Sequence, residues 1–191
     1  MGELKKWEIV RSHLAFDHPW CRVRRDVVRL PDGTEIDDFF VNVRPDIALV
    51  VPITPDQEVI CVRQYRHGVQ QILLELPAGA FDPTQEDSQT AAERELEEET
   101  GYIAPDWHKL ATLYDNPVKD TNAVHLFLAQ NAQPTGTQAL DPTETLAVEL
   151  IPLHEIEDHI RDGEICVAGT VTALFLALRH LERGRDREAR S

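Results

Sequence analysis

The sequence predicts an α/β fold carrying a small antiparallel β unit at its N-terminal end, and three stretches predict it. Cys21 to Leu30 and Glu35 to Val43 are rich in β-formers, and Pro31-Asp32-Gly33-Thr34 between them supplies turn chemistry with a glycine tolerant of positive φ. Ile47-Ala48-Leu49-Val50-Val51-Pro52-Ile53 is a short apolar run of the kind that forms a strand buried on both faces. Asp87 to Thr100 reads as a helix: Asp87 or Ser88 can cap its first N–H groups, Ala and Glu favour it, and Gly101 suits the left-handed position after its end.

The remaining elements follow in order. Arg44-Pro45-Asp46 marks a boundary near residue 45, dividing an N-terminal hairpin unit, 1–45, from a main domain, 46–183. Thr54-Pro55-Asp56-Gln57 is a turn, Val59 to Val62 a strand running into Arg63-Gln64-Tyr65-Arg66, and Gln71 to Leu76 another strand. Strands are expected at Lys109 to Tyr114, Val124 to Leu128 and Leu146 to Ile151, with a long polar loop from Asn131 to Thr145. Helices are expected at Leu153 to Arg161 and Val167 to Arg183, and the charged stretch 184–191 is expected to fray as a flexible tail.

Composition narrows the function. The 191 residues are 42% hydrophobic, enough for a real core. Nineteen Lys and Arg against 34 Asp and Glu give a net charge of −15, which disfavours nucleic acid and anionic membrane surfaces as partners. The uncharged stretch Ile165 to Leu178 is 14 residues, short of the roughly 20 that a membrane helix needs. The first residues lack the apolar segment of a signal peptide, so a soluble cytoplasmic protein is expected. Three scattered cysteines show no C-x-x-C spacing and are assigned no chemistry.

The helix is unusually acidic: Glu93-Arg94-Glu95-Leu96-Glu97-Glu98-Glu99 holds five carboxylates in seven residues. A Glu-rich helix is ordinarily a solvated face. At about 100° per residue, however, Glu95, Glu98 and Glu99 share one arc of roughly 100° beside Ala92 and Leu96. Like charges so placed repel unless a cation sits between them, and hard oxygen ligands suit Mg²⁺ or Mn²⁺. Glu75-Leu76-Pro77-Ala78-Gly79, upstream, ends a strand with a proline and a glycine that bring backbone groups close to the same helix.

These residues carry a resemblance. The stretch from Gly79 to Tyr102 resembles the Nudix box: Arg94-Glu95-Leu96-Glu97-Glu98-Glu99-Thr100-Gly101-Tyr102 matches its second half without a gap, and Glu86 stands eight residues before Arg94. Six residues separate Gly79 from Glu86, one more than the pattern has. Arg63-Gln64-Tyr65-Arg66, Glu75 to Gly79 and Pro117 resemble the ADP-ribose and nucleotide-sugar pyrophosphatase branch, whereas Val118-Lys119-Asp120-Thr121-Asn122 departs from it.

The resemblance implies a Nudix-type α/β/α sandwich with a mixed sheet, and Mg²⁺-dependent hydrolysis, with Mn²⁺ as a substitute, of ADP-ribose or a related nucleotide sugar to AMP and ribose 5-phosphate. It implies Glu95, Glu98, Glu99 and the Ala78 carbonyl as metal ligands, Glu144 or Glu98 as general base, and Gly79 at the substrate. Glu86, Arg94 and Gly101 hold the box together, Arg94 by an ion pair. Arg63 and Arg66, at a strand end, are placed to pair with phosphate or to stack on a base. In the resembled branch the N-terminal unit often joins two copies into a homodimer. Other readings are GDP-mannose, UDP-glucose, a dinucleoside polyphosphate or NADH as substrate, or a sensor that binds ADP-ribose without cleaving it.

Overall fold

The computed structural model describes residues 4–136, 138–140 and 145–188. The chain forms two compact units, Met1–Pro45 with Tyr114–Ala123, and Asp46–Leu113 with Val124–Ser191.

In the first unit, β1 (Glu8–His18), β2 (Cys21–Arg29) and β3 (Glu35–Asn42) form an antiparallel sheet in chain order. The β2–β3 turn is closed by Gly33 at φ 89° and by Thr34 N–H donating to Asp32 Oδ1 at 2.9 Å. Asp26 is buried on β2 and fully engaged, accepting from Ser12 Oγ at 2.6 Å and from Arg24 Nε at 2.9 Å. β1 is an additional strand that the sequence reading left unassigned. It is exposed along its whole length and bulged at two places, so it lacks the one-sided alternation that marks a half-buried strand. The unusual stretch before the second unit resumes extends this sheet's end, with Asn42 N–H donating to Lys119 O at 2.7 Å and Thr121 N–H to Asn42 O at 3.1 Å.

The second unit contains β4 (Asp46–Ile53), β5 (Glu58–Arg66), β6 (Gln71–Glu75), β7 (Ala78–Phe81), α1 (Ser88–Thr100), β8 (Tyr102–Ile103), β9 (Asp106–Leu113), β10 (Val124–Gln130), β11 (Gln133–Pro134) and β12 (Leu146–Pro152). A 3₁₀ turn (Leu153–Glu155), α2 (Ile156–Arg161) and α3 (Ala168–Glu188) follow. The main sheet runs β12-β5-β4-β10-β9, with β6 beside β5 and β7 beside β4; β4 and β10 are parallel and the other pairs antiparallel. The sheet is therefore mixed, with helices on both faces.

Period-two alternation decides which helix each side chain meets. Ala48 and Val50 of β4 and Phe127 and Ala129 of β10 pack with Ala91, Ala92 and Leu96 of α1. Leu49, Val51, Ile53, Leu126 and Leu128 pack with Ile156, Ala173, Leu174 and Ala177 of α2 and α3 on the other face. Complete burial of Leu96 and Phe127 contributes roughly 1.5–3 kcal/mol each, and the alanines let α1 lie close to the sheet. α3 continues to Glu188, so the part of the expected tail that is described is helical.

Candidate active site

α1 begins with Asp87, whose Oδ1 accepts from the N–H groups of Gln89 at 3.0 Å and Thr90 at 3.1 Å. It ends with Gly101 at φ 71°, whose N–H donates to Glu97 O at 2.8 Å. With both ends set, the helix turns Glu95 and Glu99 inward, where both are buried. β7 lies opposite them. Ala78 N–H donates to Glu99 Oε2 at 3.1 Å. A Cβ on Gly79 would lie 1.9 Å from Cδ and 2.0 and 2.2 Å from the two oxygens of the Glu95 carboxylate. Gly79 is thus glycine because a carboxylate occupies the space of a side chain.

Arg94 gathers the outer edge of this group. Its Nη1 donates to Glu95 Oε1 at 2.7 Å and to Glu98 Oε2 at 2.9 Å, and its Nη2 to Glu86 Oε1 at 3.0 Å. Hydrogen bonding to Glu86 first, then the charge of Glu95 and the hydrogen bonds to Glu98 and Glu95, hold the guanidinium even more firmly protonated than usual. The extra loop residue is absorbed between Gly79 and Glu86: Asp82 Oδ1 accepts from Thr84 N–H at 2.9 Å and Asp82 O from Gln85 N–H at 2.9 Å. Glu86 therefore still reaches Arg94.

Among the described residues, no three His, Cys, Asp or Glu side chains converge as a ready metal cluster. The donor set nevertheless fits a hard divalent cation. Its donors are carboxylate oxygens, two of the carboxylates are buried against backbone, and a guanidinium already bridges Glu95 and Glu98, a position that therefore calls for positive charge.

The two arginines expected together lie apart. On β5, Val59 and Cys61 face α3, so the alternation puts Arg63 on that face and Arg66 on the face that α1 covers. Arg63 is committed to Glu149 at 2.5 Å and to Glu164. Residues three apart on a strand point opposite ways, so Arg63 and Arg66 approach opposite faces of the sheet. Glu164 also meets His159 Nδ1 at 2.6 Å, and the Arg63 hydrogen bond, with that of His159, holds its carboxyl below the usual range. Arg66 pairs bidentately with buried Glu75, Nε to Oε1 at 2.8 Å and Nη2 to Oε2 at 3.1 Å. Glu98 is partly exposed beside Arg94, and Glu144 lies outside the described residues.

Residues 43–167 match the NUDIX domain. The chain belongs to the Nudix family. Residues 7–42 match the nucleoside diphosphate sugar hydrolase N-terminal domain, which accounts for the separate sheet ahead of the Nudix domain. Among relatives, an ADP-ribose pyrophosphatase of Bacillus subtilis is 31% identical over 148 residues, 77% of this chain and 79% of that protein. A methanol dehydrogenase activator of Bacillus methanolicus is 28% identical over 175 residues, 91% of this chain and 94% of that protein. A crystal structure of an ADP compounds hydrolase superposes with a TM-score of 0.85 at 27% identity, covering 98% of this chain and 100% of that one.

Sequence reasoning missed the residues that close the end of the Nudix helix. Gln138 Nε2 donates to Glu99 O at 2.6 Å, Ala139 N–H to Glu98 O at 2.8 Å, and Thr135 N–H and Oγ to Gly101 O at 2.7 and 2.9 Å. Only the length of the loop signalled them.

Proposed function

We propose that the chain hydrolyses the pyrophosphate of ADP-ribose or a closely related nucleotide sugar, yielding AMP, or another nucleoside monophosphate, and a sugar phosphate such as ribose 5-phosphate. The observation that carries this reading is the pair of buried carboxylates, Glu95 and Glu99, held against the backbone of Ala78 and Gly79. Glu95, Glu98, Glu99 and the Ala78 carbonyl would hold Mg²⁺, with Mn²⁺ as a substitute. When bound, the cation supplies charge neutralisation on the phosphates and acidifies a coordinated water.

Arg66 is the cationic side chain for a phosphate oxygen, held in place by Glu75. Gly79, whose missing side chain makes room for the Glu95 carboxylate, presents its backbone to substrate. Arg94, tied to Glu86, orients Glu95 and Glu98 rather than touching substrate. Glu144 accepts the proton of the attacking water, with Glu98 as the alternative base; the water oxygen bonds to one phosphorus and the bridging oxygen leaves with the other. The exposed apolar residues of β1, Ile9, Leu14 and Phe16, support a homodimer formed through the N-terminal sheet, to be tested by light scattering of the eluting protein. Three free cysteines suit the reducing cytoplasm.

The test is product analysis by chromatography with ADP-ribose and Mg²⁺, and separately with chelator. AMP and ribose 5-phosphate form only with metal if the reading holds. Intact ADP-ribose that still binds marks a sensor, and a panel of GDP-mannose, UDP-glucose, dinucleoside polyphosphates and NADH ranks substrates if ADP-ribose neither binds nor reacts.

A further inference from the structure

The last turn of α1 is built against its own electrostatics. Its final residues include Glu97, Glu98 and Glu99, and no basic residue stands there. The C-terminal end of a helix carries partial negative charge on carbonyls that lack donors from within the helix. Carboxylates at that end favour fraying, and fraying would release Glu98 and Glu99, two of the residues proposed above to hold the cation.

Donors from the segment after β10 meet these carbonyls. Gly101 N–H takes Glu97 O, but Glu98 O and Glu99 O are met by donors far along the chain, Ala139 N–H at 2.8 Å and Gln138 Nε2 at 2.6 Å. Thr135 takes Gly101 O twice, and β11 pairs with β8 immediately beyond. The contacts are short, directed, and fall on the backbone of the residues whose side chains matter.

We propose that Thr135, Gln138 and Ala139 form a clamp on the metal-holding end of α1, with Gln138 as its positioning residue, and that cation binding and the clamp's hydrogen bonds strengthen one another. The inference rests on the assignment of Glu95, Glu98 and Glu99 as ligands. The coupling follows from reciprocity: if the clamped helix end binds the cation better than the frayed end, then the cation must favour the clamped end by the same factor. Gln138 acts through the Glu99 carbonyl, to which its side chain donates.

The experiment uses the full chain and Mn²⁺ alone, without substrate. Affinity is read by electron paramagnetic resonance, and amide protection at Thr135, Ala139 and Gly101 by hydrogen exchange. Wild type gains protection at these amides on adding Mn²⁺. Gln138→Ala binds Mn²⁺ about three- to tenfold more weakly, the equivalent of one hydrogen bond. It also loses most of the metal-induced protection, and its thermal shift on adding Mn²⁺ is smaller than that of wild type. Ala139→Pro, which removes the donor to Glu98 O, gives the same pattern if Gln138→Ala does not fold. Wild-type Mn²⁺ affinity and wild-type protection gain in a folded Gln138→Ala overturn the clamp, provided Glu99→Gln abolishes Mn²⁺ binding. If Glu99→Gln binds Mn²⁺ like wild type, the ligand assignment fails and the clamp proposal falls with it.

Discussion

Replacing Gly79 by alanine separates the metal-holding geometry from stability. Gly79 lies in β7 and has no positive φ, so alanine fits its backbone; the conflict is with the Glu95 carboxylate, whose atoms would lie 1.9–2.2 Å from the new Cβ. To reach ordinary contact near 3.4 Å they must retreat by about 1.2–1.5 Å. The retreat is feasible, because the carboxylate is the far end of a flexible side chain. It lengthens the 2.7 Å contact with Arg94, a partly buried pair, at a cost of about 1 kcal/mol, because Arg94 keeps its bonds to Glu86 and Glu98. A chain of this size loses about 2–4 °C in Tm per kcal/mol. A misplacement of about 1 Å in a reacting assembly costs on the order of 10²-fold in rate. Gly79→Ala is therefore expected to melt within a few degrees of wild type while losing about two orders of magnitude in kcat/KM for ADP-ribose with Mg²⁺. Calorimetry and initial rates on one preparation decide it. Activity within threefold of wild type would refute the claim that the glycine exists for the carboxylate, and a fall in Tm beyond 10 °C would show that backbone, not carboxylate, had moved.

Glu144→Gln is expected to lower kcat by orders of magnitude with little change in KM; a change below tenfold removes Glu144 from the base role and leaves Glu98. The depressed carboxyl of Glu164 sets a pH signature: its stabilisation is present above the unfolded Glu pKa of about 4.3 and is lost as pH falls through the lower folded value. The Tm difference between wild type and Glu164→Gln, a degree or two for so exposed a pair, should thus vanish in acid, and a difference that persists at pH 2 contradicts the ion-pair account. Burial pushes the Cys61 thiol up to about 12, so a thiol reagent at pH 8 should label Cys21 and Cys166 in the folded chain and Cys61 only in denaturant. Labelling of all three thiols at one rate would show that the centre of the sheet opens freely.

What was legible in the sequence was what is local. The run from Ile47 to Ile53 announced a strand buried on both faces, and Asp87 and Gly101 bracketed α1 because capping is written within one turn of each end. The carboxylate arc was legible for the same reason. β1 was not, since a strand exposed on both faces has no alternation to read. The partners of Arg63 were out of reach, because its ion pair with Glu149 joins β5 to β12 across a pairing that only the folded sheet creates. Gln138 was out of reach, because its hydrogen bond to Glu99 O joins positions that no spacing rule connects.

The turn at Asp82 bears on how strictly the glycine-to-glutamate spacing must be kept. β7 is held by its pairing with β4, and α1 by its cap and its packing, so the segment between them only has to deliver Glu86 to Arg94. The entropic cost of closing a flexible loop rises by only about 0.6 kcal/mol for each doubling of its length. The extra residue between Gly79 and Glu86 is thus accommodated in the Asp82 turn without loss of the ion pair the segment serves. A search that fixes the number of residues between the glycine and the first glutamate would pass over chains like this one; a search on the Glu86–Arg94 partnership would find them.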